Sequence, residues 1–518
     1  MCQNTKLLEE PKFSSPLFVR REDIDLESRI KIGLRLNYYP YHGLVTDLAN
    51  RYGVSRPFIY EQKHRVQAAL SCLEAKISEE TDSAWEANIK QLLLYRIRGG
   101  VSISKCSDFL SSGSYANSSV GWISETIKLT GDLLGDTISS FKGKVFYASD
   151  EIYLLNGACV LVSCDPISSA ILSMRLCDNL TYQAWQASLS SLKQAGVEPS
   201  GIVGDEGKSL VLAHSQLDSI VYQNDTFHAI TQRFGKVTTR LENQAIRLMQ
   251  EEYKQEQVYL NAKSVKFQTE KKQAYQQARI KSETALNLLS DFKWLYGQIT
   301  RQLKVVRSNG EIRSQQTAVC EVQTVLDLME ECLELNLSKQ IKSVRKLLPG
   351  LFQYLDKAKQ VHSVLEKKIH SCILPFHLAY WQYKKSLINL KKAKDKHRLT
   401  KSKQWLIHII EEYKQKWPEK FDTEQQMVFI AMQTVIQSSA MVECINSILR
   451  PIINESKGQI SQQTLNLVRY WHNHRIYKRG LRKGKSPLEL LTGQKPKVEW
   501  TQSIIELIKE KGAFNRAA

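Results

Sequence analysis

Val145-Phe-Tyr-Ala-Ser-Asp150-Glu-Ile-Tyr-Leu154 is a run of β-branched, aromatic and small residues broken by the carboxylate of Asp150. A buried strand excludes an uncompensated charge, so Asp150 marks a place where the strand does more than pack. Outward from it, Cys159–Cys164 and Ser169–Arg175 are further short β-rich runs, set off by the turn pairs Asn156-Gly157 and Asp165-Pro166. The spacing predicts three consecutive antiparallel strands, the first over Lys144–Leu154. Thr181–Ala195, with apolar or small residues at Ala184, Trp185, Ala187, Leu189 and Leu192, predicts a helix that Gly196 ends. Strand, helix and strand then follow as Gly201–Asp205, Lys208–His214 and Ser219–Gln223.

Two further acids interrupt patterned segments. Asp205 closes Gly201-Ile-Val-Gly-Asp205, and Glu443 lies in the helical stretch Ser438-Ser-Ala-Met-Val-Glu443-Cys-Ile-Asn446-Ser-Ile-Leu-Arg450. Mg²⁺ takes oxygen ligands and is held by a few carboxylates plus water and substrate phosphate, so it needs acids that converge on one point. Three acids in the order Asp, Asp, Glu point to a divalent-cation site for phosphodiester chemistry, with Asp150, Asp205 and Glu443 as ligands. Glu151 and Glu206 follow the aspartates directly, and alternation along a strand turns them to the opposite face. Asp165 reads as a turn residue. Asn446 and Arg450 share the helical face of Glu443 and are placed to position it or a substrate.

The succession of three strands, helix, strand, helix and strand resembles the ribonuclease-H-like fold, with Asp150 on its first strand and Asp205 at the end of its fourth. Asp225-Thr-Phe-His228 resembles a D-x-F-H signature, and Glu443, Asn446 and Arg450 an E-x-x-N-x-x-x-R helix. Trp471-His-Asn-His474-Arg475, Arg479-Gly480 and Lys485-Ser-Pro487 resemble the tail that follows such a helix. On these matches, over about half its length, the chain resembles the DDE transposases of bacterial insertion sequences. The resemblance implies Mg²⁺, with Mn²⁺ expected to substitute, at Asp150, Asp205 and Glu443, and cleavage of a DNA strand whose 3′ end is joined to target DNA. It implies double-stranded DNA as partner, both terminal repeats and target, a homodimer or higher oligomer on that DNA, and a bacterial cytoplasmic location. His228 would reach substrate phosphate. Two alternatives are a domesticated, non-catalytic DNA-binding protein and a ribonuclease-H-like nuclease without strand transfer.

The gap from Asp205 to Glu443 is several times that from Asp150 to Asp205. Between about Gly235 and Ala431 the sequence has almost no β-like alternation and is rich in Lys, Gln and Glu, which predicts an all-helical insertion. Alternating charges, as in Gln250-Glu-Glu-Tyr-Lys254, suit exposed helices forming long antiparallel arms. A regular coiled coil is not expected, because apolar a and d positions are not sustained between Arg240 and Thr284. In transposases with such insertions an aromatic side chain can hold the distorted element end; Trp294, Trp381 and Trp405 are the candidates, and core packing is the competing reading of each.

Composition bounds these readings. The chain has 518 residues, 42% of them hydrophobic, and no apolar run of membrane-spanning length, so a soluble multidomain protein without membrane partner is expected. Met1-Cys-Gln-Asn-Thr-Lys lacks the apolar core of a signal peptide. Ten cysteines, including Cys159, Cys164, Cys177 and Cys444 within apolar runs, follow no disulfide framework and are expected to be reduced and buried. Cys320, Cys332, His370 and Cys372 match no zinc-finger spacing. A net charge of +19 points to a polyanionic partner.

In the amino-terminal region, Leu44-Val-Thr-Asp-Leu48-Ala49-Asn-Arg-Tyr-Gly53-Val54-Ser55-Arg56-Pro57-Phe-Ile59-Tyr60 follows a helix-turn-helix pattern, with Ser55 as N-cap and Pro57 in the first turn. Its second helix would present Arg56, Tyr60, Lys63 and His64 to the major groove; a protein-binding three-helix bundle is the other reading. A second unit pairs a supporting helix over Gly100–Leu110 with a reading helix over Ser118–Lys128. After Glu443, Arg475, Lys478, Arg479, Arg482, Lys483 and Lys485 cluster among Trp471, His472, His474 and Tyr477, a pattern suited to phosphate contacts. The expected order is a helix-turn-helix domain over 1–78, a second such module over 83–138, an α/β ribonuclease-H-like core over 141–234, the all-α insertion over 235–431, the rest of the core over 432–495, and a tail over 496–518.

Overall fold

A computed structural model describes residues 23–511, apart from 77–80, 114, 116, 156, 218–219, 264, 334–335, 393–403, 405–407, 409, 414, 416–419 and 481. The protein is mixed α/β, mostly helical, with one five-stranded mixed sheet. It divides into two compact units, one running to Ile127 and the other from Lys128 to Ile508, with the segment from Lys509 returning to the first.

In the first unit, α1 (Leu26–Tyr38), α2 (Leu44–Tyr52) and α3 (Arg56–Lys76) close over Ile32, Leu36, Leu44, Leu48, Ala49, Phe58 and Ile59. Gly53 ends α2 in the left-handed region, at φ 61°, and lets the Val54 N–H reach back to the Ala49 carbonyl at 3.0 Å. α4 (Thr81–Leu93) continues through a π-type turn, Leu94–Arg98, toward α5 (Ile103–Ser112), which Ser102 caps, and α6 (Val120–Leu134) follows. The second unit begins at Lys128, inside α6. The reason lies in the last turn of α6, which is anchored within the second unit: Asn466 donates to the Gly131 carbonyl, and buried Arg469 donates to those of Leu134 and Gly135.

The second unit is built on β1 (Gly143–Tyr153), β2 (Cys159–Cys164), β3 (Ile171–Cys177), β4 (Val197–Gly204) and β5 (Tyr222–Asn224), in the order β3-β2-β1-β4-β5. β1 pairs antiparallel with β2, and β2 with β3; β4 is parallel to β1, and β5 to β4. α7 (Tyr182–Gln194), capped by Thr181, and α8 (Lys208–His214) cover one face and bury Tyr147, Trp185, Leu189, Leu192, Ile202 and Leu210. The other face receives α16 (Ala440–Glu455) and α17 (Gln462–His474). Side chains of α17 satisfy the edge strand β3: Gln462 accepts from Leu176 N–H, and Asn473 both donates to and accepts from Ile171.

The inserted segment is helical. A π-type turn, Phe227–Gln232, runs without a break into α9 (Arg233–Leu260), followed by α10 (Val265–Gln302), α11 (Gln315–Cys332), α12 (Ser338–Leu351), α13 (Tyr354–Glu366), α14 (Leu374–Lys392) and α15 (Phe421–Met432). Its core gathers Phe234, Phe292, Ile299, Val322, Leu351 and Leu378, and draws in Ala229, Ile230 and Val435 from beyond the expected limits of 235 and 431. α9 and α10 form the antiparallel arm, with Lys293 paired to Glu242 at 2.6 Å near its root and Tyr259 stacked on Tyr275 near its tip. β5 abuts this domain: Gln223 donates to the Leu351 carbonyl and accepts from Tyr354 N–H. α18 (Pro487–Thr492) and α19 (Trp500–Glu510) are the last described helices, and no described helix is long and apolar enough to cross a membrane.

Candidate active site

Strand register brings two acids together. Ala148 on β1 stands opposite Val203 on β4, which brings Asp150, two residues further along β1, near Asp205, the residue that follows the end of β4. β4 ends at Gly204, and Asp205 begins a turn in which its Oδ1 accepts from Gly207 N–H at 2.8 Å. The Tyr222 hydroxyl on β5 donates to the main-chain carbonyl of Asp205. Gly204 allows this close approach, since a Cβ there would stand 2.7 Å from that hydroxyl and 2.6 Å from a Leu210 methyl, and one of them would have to shift.

α16 supplies the third acid. Val442, Ile445, Leu449 and Ile452 bury its apolar face, and Glu443 occupies its first turn, where a carboxylate suits the helix dipole. Asn446, buried, donates to Asp150 Oδ2 at 3.0 Å, while its own Oδ1 has no partner. The Glu443 side chain is 41% exposed and leans toward an imidazole and a guanidinium, with His228 Nε2 and an Arg450 nitrogen each 3.8 Å from its oxygens. Asp150, Glu443, His228, Asn446 and Arg450 are thereby brought into one neighbourhood, with Asp205 bearing on Asp150 through its charge.

Charge crowding is the electrostatic signature of this cluster. Burial, reinforced by the charges of Asp205 and Glu443, raises the Asp150 carboxyl to about 6. Burial and the charges of Asp205 and Asp150 raise Glu151 to about 7. Strand alternation had separated Glu151 from the aspartates; the separation fails because Asp205 has left the sheet, where parity no longer holds, and the Glu151 carboxylate stands beside the same Gly207 turn. Glu151 Oε2 is buried without a partner. Glu206 pairs with Arg233, tying the turn after Asp205 to the start of α9.

Asp150, Asp205 and Glu443 offer the oxygen donors that Mg²⁺ or Mn²⁺ takes, on a site with an exposed side for substrate. Their mutual repulsion is the kind that a divalent ion relieves. Among the described residues no three His, Cys, Asp or Glu side chains already close on one point, and the contacts of Glu443 are with His228 and Arg450.

The basic tail divides in two. Arg482 donates to the carbonyls of Pro166 and Ile167, and Arg475 lies over the rings of Trp471 and Tyr477 at 5.3 Å each, so both brace the tail against the protein. Lys478, Arg479, Lys483 and Lys485 are exposed. Asp165 is the turn residue expected, accepting from Ile167 and Ser168 N–H. On α3, Arg56, Tyr60 and His64 are exposed in one line, while Lys63 is half-buried. Trp294 is 63% exposed on α10, near the arm's root; Trp381 is buried in the helical core, and Trp405 lies outside the described residues. Cys444 is exposed rather than buried, because it faces away from the apolar stripe of α16, whereas Cys159 and Cys164 are buried.

Sequence reasoning passed over the polar residues that set these groups in place. Asp225 was visible only as a motif letter, although an Asp before a helix is a capping signal; Tyr222, Arg233, Gln437 and Ser439 carried no signal, since their partners are remote in sequence. No protein-family model matches the chain, and no curated protein matches it significantly.

Proposed function

We propose that the protein is a DNA transposase of the DDE type, with a ribonuclease-H-like catalytic core and amino-terminal helix-turn-helix modules that bind the ends of its mobile element. The observation that carries the reading is Asp150, on β1, set within reach of the charge of Asp205 just past the end of the parallel strand β4, and bonded through Asn446 to the helix of Glu443. The strand order, with β1 to β3 antiparallel and β4 and β5 parallel to β1, supports the ribonuclease-H-like assignment. Asp150, Asp205 and Glu443 would hold the metal. When bound, divalent ions activate the attacking oxygen and stabilise the leaving one in phosphodiester displacement. Asn446 holds the Asp150 carboxylate in orientation, and His228 and Arg450 flank Glu443, where they meet the phosphate that approaches from the open side. The net charge of +19 and the exposed Lys478, Arg479, Lys483 and Lys485 suit a DNA partner.

Purified Asp150→Asn, Asp205→Asn and Glu443→Gln variants test the assignment. Each removes a charge with little change of volume, and each is expected to abolish cleavage and strand transfer on DNA carrying the gene's flanking sequences while still binding those ends. Strand transfer near the wild-type level by any one variant removes that residue from the site.

A further inference from the structure

Asp225 is 2% exposed, and both oxygens of its carboxylate are occupied. Oδ1 accepts from the N–H groups of Phe227, at 2.6 Å, and His228, at 3.2 Å, capping the turn that carries His228. Oδ2 accepts from Ser439 N–H at 2.7 Å and from the Ser439 hydroxyl, at the start of the helix that carries Glu443. The Asp225 N–H is itself bound to the Gly204 carbonyl at 2.9 Å, next to Asp205. One buried residue is therefore bonded to the strand end beside Asp205, to the turn of His228 and to the helix of Glu443. Its neighbour Thr226 donates twice to the Gln437 carbonyl, and the Gln437 side chain is held by Lys385 Nζ at 2.6 Å and by the Leu303 carbonyl at 2.7 Å. The link between the helical domain and the Glu443 helix thus passes through the same clasp.

We propose that Asp225 is a positioning residue, whose carboxylate sets the distance of Glu443 and His228 from Asp150 and Asp205 by capping both helices at once. The inference rests on the transposase reading and concerns its metal site. The Glu443 side chain is half exposed and bonded only at long range, so its reach toward the aspartates is determined by where α16 begins. Ser439 and Asp225 fix that start. The capping bonds are charge-assisted and shielded from water, the setting in which they hold geometry most firmly.

The test uses the full-length protein and Mn²⁺ as the varied ion, comparing wild type with Ser439→Ala, Asp225→Asn and Glu443→Gln. Ser439→Ala removes one of the two donors to Oδ2 and leaves the main-chain bond, so it keeps the fold where Asp225→Asn fails to fold. Both are expected to bind element ends as wild type does. Ser439→Ala should raise about 10-fold the Mn²⁺ concentration that half-saturates both the ion-dependent rise in unfolding temperature and strand transfer, with the rate recovering at high Mn²⁺, and Asp225→Asn should lower transfer about 100-fold. An unchanged Mn²⁺ dependence in Ser439→Ala, or a lower rate at every Mn²⁺ concentration with the same half-saturation, overturns the inference. Glu443→Gln separates the two questions: if it still transfers strands, the metal-site reading itself fails, whereas if it is inactive and Ser439→Ala shows wild-type Mn²⁺ dependence, only the role of Asp225 falls.

Discussion

The side-chain amide of Asn446 donates to Asp150 Oδ2 at 3.0 Å, a bond that spans 296 positions and fastens the Glu443 helix to the central strand. Losing a hydrogen bond to a charged group costs about 1.5–3 kcal/mol, and here the loss also frees the carboxylate to rotate. Asn446→Leu should therefore lower strand transfer by about one to two orders of magnitude. End binding, measured by fluorescence anisotropy, should not change. A Leu variant with wild-type transfer rates would show that the bond only staples two elements together.

The raised carboxyls predict an inverted pH dependence of stability in the metal-free protein. Asp150 moves from 3.8 to about 6 and Glu151 from 4.5 to about 7 on folding. Between those values the folded state binds protons that the unfolded chain has released, so these groups make stability fall as pH rises from about 4 to about 7. In EDTA at pH 7.5, Asp150→Asn should be more stable than wild type by ~1–3 kcal/mol. Added Mn²⁺ should raise the unfolding temperature of wild type more than that of the variant. Thermal melts at pH 5 and 7.5 decide it, and a variant less stable than wild type in EDTA at neutral pH contradicts the crowding of the site.

Much of this was legible in local sequence. A charge inside an apolar run sets Asp150 and Glu443 apart, and β1, β2, α7 and α8 lie within a few residues of their expected limits. β4 begins earlier than expected, at Val197, because Glu198-Pro-Ser200 resembles a turn and only pairing with β1 holds it extended. The proximity of Glu151 to the aspartates was hidden for a related reason: alternation predicts faces along a strand but says nothing once the neighbouring chain leaves the sheet. The partnership of Asp225 with Ser439 joins positions 214 apart and leaves no periodic trace.

Recognition of element ends is predicted to lie on α3. Arg56, Tyr60 and His64 share one exposed line, with Tyr60 49% exposed, and α3 begins at Arg56, after Ser55. Alanine at Arg56 or Tyr60 should weaken binding to the cognate end by about 1–3 kcal/mol if the side chain reads a base. Lys63 is half-buried on the same helix, and a phosphate contact is assigned to its ammonium instead. Lys63→Ala should lower the salt slope by about one phosphate. Titrations at several salt concentrations measure both effects, and unchanged affinity in all of these variants would move recognition to the module of α5 and α6.

Assembly is predicted to depend on the arm. Two element ends must be joined to one target, which requires two active sites in a symmetric complex of at least two protomers. α9 starts directly after the turn of His228, and its 28 residues, at 1.5 Å each, carry it about 40 Å from the site. The helical core is concentrated at the root, on Phe234, Val237, Leu241, Phe292, Leu295 and Ile299. Beyond it the hairpin closes on the small residues Ala245, Ala278, Ser282 and Ala285, while Ile246, Met249, Tyr253 and Leu260 remain exposed. Replacing residues 246–284 by a short turn should leave the root packed and single-end binding intact, yet eliminate paired-end complexes and strand transfer. Whether the root still folds is checked by thermal unfolding, pairing by light scattering with end DNA, and chemistry by a strand-transfer assay. A shortened protein that pairs two ends and integrates them would show that the distal arm has no part in assembly, and would shift the bridging role to the amino-terminal unit.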